Sequence, residues 1–419
     1  VIGHLDLGYG THDRYAERMM LGMFKDNLRM MSFGNFNNVN NIGFGGRGGG
    51  FGRNRNGLNT ANMVGVNFNY EKKDLLKWDG SVRWNHNTSN QYTKSSSENF
   101  VIGNRSFSNS LSQNYSKDKR WNAQMRFEWT PDSMTNILFR PSFSYSDNDS
   151  RSGGISATFD KDPFENTGYR YTVEQMDEIL AAMEALGLAK NSRTNSQLSY
   201  GDSKNVRGRM QINRKLNTAG RNIGLNIDAN YTTSNNKSLS TQNVRLYQVQ
   251  NKDYSINRWN LTPSTNWNYS AELSYSEPIA QKTYLQFSYK FTNSYSKSDR
   301  STYDFSDFSA LPADYAHLLA SLGINNIPDY RRWDYYILSN YEDFYDQSVS
   351  RFSEYRNYTH DIELQFRRVR DNYNFNFGVL AQPQHQVFRQ RYLSTTTDRA
   401  RNVFNVSPTA DFRYHFTKQ

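Results

Sequence analysis

The stretch Trp267-Asn268-Tyr269-Ser270-Ala271-Glu272-Leu273-Ser274-Tyr275 decides the fold. Its odd positions are apolar or aromatic and its even positions are polar. Successive side chains of a strand point to opposite faces, so the segment has one apolar wall and one hydrated wall. The same alternation sets Trp121, Ala123, Met125, Phe127 and Trp129 against Asn122, Gln124, Arg126 and Glu128. It sets Ile137, Phe139, Phe143 and Tyr145 against Arg140, Ser142 and Ser144. Further copies run through Ile223 to Tyr231, Ile362 to Phe366, Phe375 to Ala381 and Phe404 to Phe416. Such repetition predicts many antiparallel strands in one large sheet.

The polar wall is rich in amides and hydroxyls mixed with both charge signs, as in Asn374, Asn376, Gln382, Gln384 and Gln386, or Asp361, Glu363, Gln365 and Arg367. That composition suits a wide, water-filled lumen, with the apolar wall turned outward to lipid. Aromatics gather where strands meet short turns, at Tyr70 and Trp78, at Trp129 and Phe139, at Tyr275 and Tyr284, and at Tyr414 and Phe416. They are expected to form a membrane-interface girdle. The mean hydropathy of −0.87 is very hydrophilic, and no run approaches the roughly 20 apolar residues of a spanning helix. A barrel reconciles the two, because only alternate residues of each short span meet lipid.

Short connections near residues 25–28, 71–77, 130–135, 217–221, 277–282 and 370–372 alternate with long ones at 37–62, 151–203 and 299–349. Short periplasmic turns opposite long external loops are the habit of outer-membrane barrels. The alternation predicts about fourteen strands, at 1–10, 15–25, 28–37, 62–70, 78–95, 105–129, 136–150, 204–216, 222–237, 256–276, 283–298, 350–369, 373–391 and 399–416. Two of the long loops are expected to carry helices. Thr172 through Leu186 has a capping box in Thr172 and Gln175, an apolar side in Val173, Met176, Ile179, Leu180 and Met183, and a stop at Gly187. Pro312 to Leu322 has Tyr315, Leu318, Leu319 and Leu322 on one side and Gly323 after it.

Other functions find little footing. The chain has no Cys, so no disulfide framework or thiolate metal site is expected. Its net charge of +10 is spread along strands and turns, not gathered into the basic stripe of a nucleic-acid binder. The Gly-rich run from Gly43 to Gly57 lacks the Lys-Ser/Thr ending of a phosphate loop. The run from Asp147 puts Arg151 and Ser152 where a calcium loop needs a ligand and a glycine. The 7 His residues fall in no HExxH pair, and no GxSxG elbow occurs. No catalytic residue, metal site or cofactor is expected.

The opening GHLDLGYGTHDRYAERMMLGMFKDNLRMMSFGNFNNVNNIGF with GLNTANMVGVNFNY after it, the later MRFEWTPDSMTNILFRPSFSYS and the closing FNVSPTADFRYHFTKQ resemble the TonB-dependent-receptor-like outer-membrane β-barrel proteins of Bacteroidota. The resemblance runs over essentially the whole chain and specifies architecture better than substrate. It implies a larger barrel of about 22 strands with a plugged lumen, of which this sequence is expected to be an internal piece without its signal peptide, plug and about eight further strands. It implies outer-membrane localisation among outer-membrane lipids, and uptake of a nutrient or chelate with TonB as energy-coupling partner through a region upstream of Val1. Two alternatives stand beside transport: a scaffold barrel whose loop helices dock surface lipoproteins, and a soluble β-rich glycan-binding module. Candidate ligand contacts are Arg367, Asn374, Asn376, Gln382 and Gln384 in the lumen, and Tyr330, Trp333 and Tyr336 in an external loop.

Overall fold

A computed structural model of the chain describes residues 1–39, 57–100, 105–167, 175–249, 252–306, 341–393 and 395–414. Fourteen strands form one sheet in which each pairs with its neighbours in sequence, in the order β1 to β14, and every pairing is antiparallel. They are β1 (Ile2–Gly10), β2 (Arg14–Lys25), β3 (Leu28–Asn37), β4 (Leu58–Lys72), β5 (Leu76–Asn99), β6 (Ser106–Asp132), β7 (Thr135–Phe159), β8 (Ala189–Lys215), β9 (Asn222–Leu246), β10 (Tyr254–Ala280), β11 (Thr283–Asp304), β12 (Arg351–Val369), β13 (Tyr373–Tyr392) and β14 (Thr395–Tyr414). This is the all-β, up-and-down antiparallel architecture expected from the alternation, with β1 and β14 as the sheet edges. No helix among the described residues is long and apolar enough to cross a membrane.

Tight turns close one end of the sheet. Lys25 pairs with Leu28 around Asp26, which sits at φ 46°, a left-handed position that Asp tolerates better than most residues. In the β6–β7 turn the Asp132 carboxylate accepts from the Met134 amide at 2.8 Å and from Thr135 Oγ1 at 3.2 Å. The Met134 amide, first among these donors, holds the Asp132 carboxyl below its usual range.

Toward the other end the strands run further than the alternation suggests. β7 continues to Phe159 and β8 begins at Ala189, so the connection expected over 151–203 narrows to residues 160–188. β11 likewise reaches Asp304, inside the loop expected over 299–349. The reason is compositional. Between Asp147 and Ser152 both faces of β7 are polar, so the apolar signal vanishes while the ladder persists, as in Asp147 opposite Asp202 and Ser150 opposite Ser199. The calcium-loop-like run is therefore extended strand. β6 spans 27 residues, far more than the roughly 9 to 11 that cross a bilayer.

The expected helix over 172–186 is present as α2 (Met176–Ala185), preceded by the short α1 (Pro163–Thr167). Thr172 and Val173 lie outside the described residues. The stop works as expected. Gly187 adopts φ 69°, its amide donates to Glu184 O at 2.9 Å, and the Leu188 amide donates to Met183 O at 2.9 Å. That is the paired pattern of a Schellman C-cap. Met176, Ile179 and Met183 are buried against Ala157, Phe159, Phe164 and Ala189, about 1.5–3 kcal/mol of apolar burial for each large side chain. The second expected helix, 312–322, lies outside the described residues.

Candidate functional site: the polar face of the sheet

Pairing register sorts the side chains into two walls. Trp129, Phe127, Met125, Ala123 and Trp121 of β6 share a face with Ile137, Phe139 and Phe143 of β7, Met210 and Val206 of β8, and Ile227 and Tyr231 of β9. The face continues through Tyr269 and Leu273 of β10, Phe287 of β11, Leu364 of β12, Phe377 of β13 and Ala410 of β14. These large side chains are widely exposed, Leu273 at 46 %, Leu364 at 52 % and Phe404 at 67 %. Trp121 and Trp129 lie eight positions apart on one face. Eight rises span about 27 Å along the strand. On the same face charge enters at the Trp121 row with Lys204 and Lys297, continues beyond it with Lys119 and Asp147, and reaches one row inside it at Arg356, opposite Tyr295.

Of the aromatics expected at the interface, Tyr70 and Trp78 face each other across β4 and β5, and the Trp78 ring meets Phe68 edge-on at 5.1 Å. Trp129 and Tyr275 end the apolar rows of β6 and β10, and Tyr414 pairs with Tyr373. Tyr284 does not belong with them. It stands opposite Arg367 while its neighbour Leu285 stands opposite Phe366, so alternation turns Tyr284 to the polar face. There its ring lies against Gly220 in the β8–β9 turn, where an added Cβ would come within 2.9 Å of it. Aromatic character at a turn thus misassigned its face, because position in the pleat decides it. Phe416, Tyr330, Trp333 and Tyr336 lie outside the described residues.

The five expected lumen residues share the polar face. Arg367 is directly opposite Asn376, and Asn374 is opposite Val369 two register positions nearer the turn. Asn374 Oδ1 and Asn376 Oδ1 are buried without a hydrogen-bond partner among the described residues. Further along β13, Gln386 donates to Gln384 at 3.3 Å, Gln384 to Gln382 at 2.6 Å, and Gln382 to Asp361 at 2.7 Å. This amide ladder places Gln382 and Gln384 apart from the group at Arg367. A shallow basin of about 210 Å3 beside them is lined by Glu272, Ser274, Gln286, Ser288, Glu363 and Gln365.

A second concavity on this face was not anticipated from the sequence. A cavity of about 670 Å3 is lined from β4 to β8 and carries Arg83, Arg126, Arg140, Arg207 and Arg209 with Asp79. Arg207 Nη2 and Arg209 Nε both donate to Asp228 Oδ2, at 3.1 and 2.8 Å. Arg126 Nη2 donates to Glu128 Oε2 at 2.5 Å. The Arg83 guanidinium stacks over the Phe33 ring, 5.5 Å from its centroid. Polar chemistry on this face can solvate and orient a hydrophilic solute. Among the described residues no cluster of three or more His, Cys, Asp or Glu side chains could hold a metal ion.

No protein-family model matches the chain, and no curated protein does. Two solved structures align along nearly its whole length. The ferric yersiniabactin uptake receptor FyuA of Yersinia pestis is 8 % identical, with 98 % of this chain and 79 % of that one covered and a TM-score of 0.18. The pyoverdine outer membrane receptor FpvA of Pseudomonas aeruginosa PAO1 is 8 % identical, with coverages of 99 % and 72 % and a TM-score of 0.16.

Proposed function

We propose that this chain is the membrane-spanning wall of a bacterial outer-membrane β-barrel of the TonB-dependent-receptor type, with its polar face lining a path for a hydrophilic solute. The observation that carries the reading is the exposed apolar band that crosses the sheet from strand to strand on one face only, with Leu364 52 % and Phe404 67 % accessible. In water, contiguous apolar surface of this extent is a liability, whereas against acyl chains it is the ordinary exterior. The opposite face carries Arg, Asn, Gln and Glu in place of a core. A soluble module built on the same strands would instead cover the apolar wall. Outer-membrane lipids are then the chain's immediate surroundings, and nutrient or chelate uptake coupled to TonB is the function assigned to the whole receptor. The group at Arg367, Asn374 and Asn376 and the amide ladder through Gln382 and Gln384 serve as hydrated lining along that path.

The test is expression of the whole protein in a Gram-negative host, followed by fractionation and alkaline carbonate extraction. The protein is expected to stay with the outer membrane and to migrate differently on a gel before and after boiling. Release into the soluble fraction by carbonate would refute the membrane reading.

A further inference from the structure

The register assembles an arrangement on the polar face that the proposed function does not itself require. Asp79 of β5 is opposite Arg126 of β6. The flanking pairs Gln124–Ser142 and Phe127–Phe139 place Arg126 opposite Arg140 of β7. Arg140 is directly opposite Arg209 of β8, and Arg209 is opposite Asp228 of β9. Five adjacent strands thus present, at one level and on one face, the sequence carboxylate, guanidinium, guanidinium, guanidinium, carboxylate. Directly opposed like charges destabilise a sheet, and here two such contacts lie side by side.

The carboxylate at the β9 end of the row is spent. Asp228 takes both Arg209 and Arg207 on one oxygen, and Arg126 turns to Glu128. The central Arg140 has no hydrogen bond or ion pair among the described residues, and Arg126 Nε is buried without a partner. Arg83 and Arg207 add their charge to the same cavity of about 670 Å3. That volume is typical of a small-molecule site. A guanidinium offers a planar fork of donors matched to carboxylate or phosphate oxygens.

We propose that the row Arg126–Arg140–Arg209 is an anion clamp that binds a small solute bearing two or more oxyanionic groups, with Arg140 as its centre. The bound anion sits between the opposed guanidiniums, replaces their repulsion with attraction, and takes up the donors that Arg140 leaves open. The clamp names the solute class for the path proposed above and rests on that reading of the polar face.

The experiment is calorimetric titration of the whole protein in detergent, at fixed ionic strength, with citrate and in parallel with pyrophosphate. Neutral sucrose serves as the blank. Saturable binding of one or both anions is expected, and which of them binds more tightly separates a polycarboxylate from a phosphate ligand. Arg140→Gln should weaken binding about 10- to 100-fold, the weight of a charge-assisted hydrogen-bonded group. Arg413→Gln, on the same face at the far edge of the sheet, should leave it unchanged. Without anion, Arg140→Gln should melt no lower than the parent, since it removes like-charge contacts, and only the parent should gain Tm on adding the anion. Equal binding by the parent and Arg140→Gln would overturn the clamp. So would equal weakening by Arg140→Gln and Arg413→Gln, which marks diffuse screening, and so would the absence of saturation by either anion. Carbonate extraction tests the membrane reading separately, so a failed clamp and a failed membrane assignment give different results.

Discussion

Ala271 and Ser270 are neighbours on β10 and point to opposite walls, which makes them a test of what each wall faces. Ala271 is exposed and lies midway between Trp267 and Tyr275 in the apolar row. It pairs with Ile227 on one side and Phe291 on the other. If that row faces acyl chains, Ala271→Arg puts a guanidinium near the bilayer midplane, at a cost of about 2–4 kcal/mol. At about 1.4 kcal/mol per decade, this is roughly a 30- to 700-fold loss in the folding equilibrium. If the row faces water, the same exposed substitution belongs among surface changes and should fall within about ±0.5 kcal/mol. Ser270→Arg faces Asp228 of β9 across the polar wall and should be close to neutral under either reading. The assay is reversible guanidinium unfolding in phospholipid vesicles, followed by Trp fluorescence. A cost below about 0.5 kcal/mol for Ala271→Arg, or equal costs for both variants, would refute the assignment of the apolar wall to lipid.

Three further outcomes follow from local geometry. At Gly65 an added Cβ would come within 2.4 Å of Phe33 Cζ, so Gly65→Ala should cost about 1–3 kcal/mol of overpacking in the same unfolding assay, and Phe33→Leu should recover part of it. Glu277 receives Arg221 Nε at 2.8 Å and Arg221 Nη2 at 2.5 Å, together with the Tyr275 hydroxyl, and the Arg221 contact, ahead of the Tyr275 one, holds its carboxyl below the usual range. A depressed folded-state value means that its contribution is complete above the unfolded carboxyl pKa and is lost as pH falls through the folded one. Glu277→Gln should therefore flatten the acid limb of the stability profile, measured by midpoint against pH, and an unchanged limb would show that the Arg221 clasp adds nothing. Met183→Ala empties a fully buried position under α2 and should cost about 2–5 kcal/mol locally, read as faster proteolysis within residues 160–188 while the melting of the sheet itself stays put.

Much of the fold was legible because a strand in this chain advertises itself only where its two faces differ in chemistry. Trp267 to Tyr275 and Trp121 to Trp129 have that contrast, and their pairing follows the expected order. The contrast fades between Asp147 and Ser152, so nothing in composition revealed that the β7–β8 ladder runs on to Ala157 opposite Ser192. The helix stop at Gly187 was readable because Gly there meets a local backbone requirement. Tyr284 was misplaced because its residue type suits an interface, whereas its face follows from counting back to Leu285 and Phe287 across a register shift near Pro278 and Ala280.

The arginine row shows the deeper limit. Arg126 and Arg140 are each visible as polar-wall residues from their own strands, and Arg209 alternates with Met210 in the same way. Nothing in any one strand says that the three stand abreast, because their alignment depends on two registers, those of β6 with β7 and β7 with β8. A slip of one residue in either would send an arginine into the apolar wall. If the aromatic and aliphatic rows face lipid as proposed, they tolerate no charge and so set the register, and the guanidiniums are brought abreast as its consequence. The apolar wall in this way fixes the geometry of the polar one. Mutations that loosen the apolar row near Met125, Phe139 and Met210 should accordingly disturb the arginine row without touching an arginine.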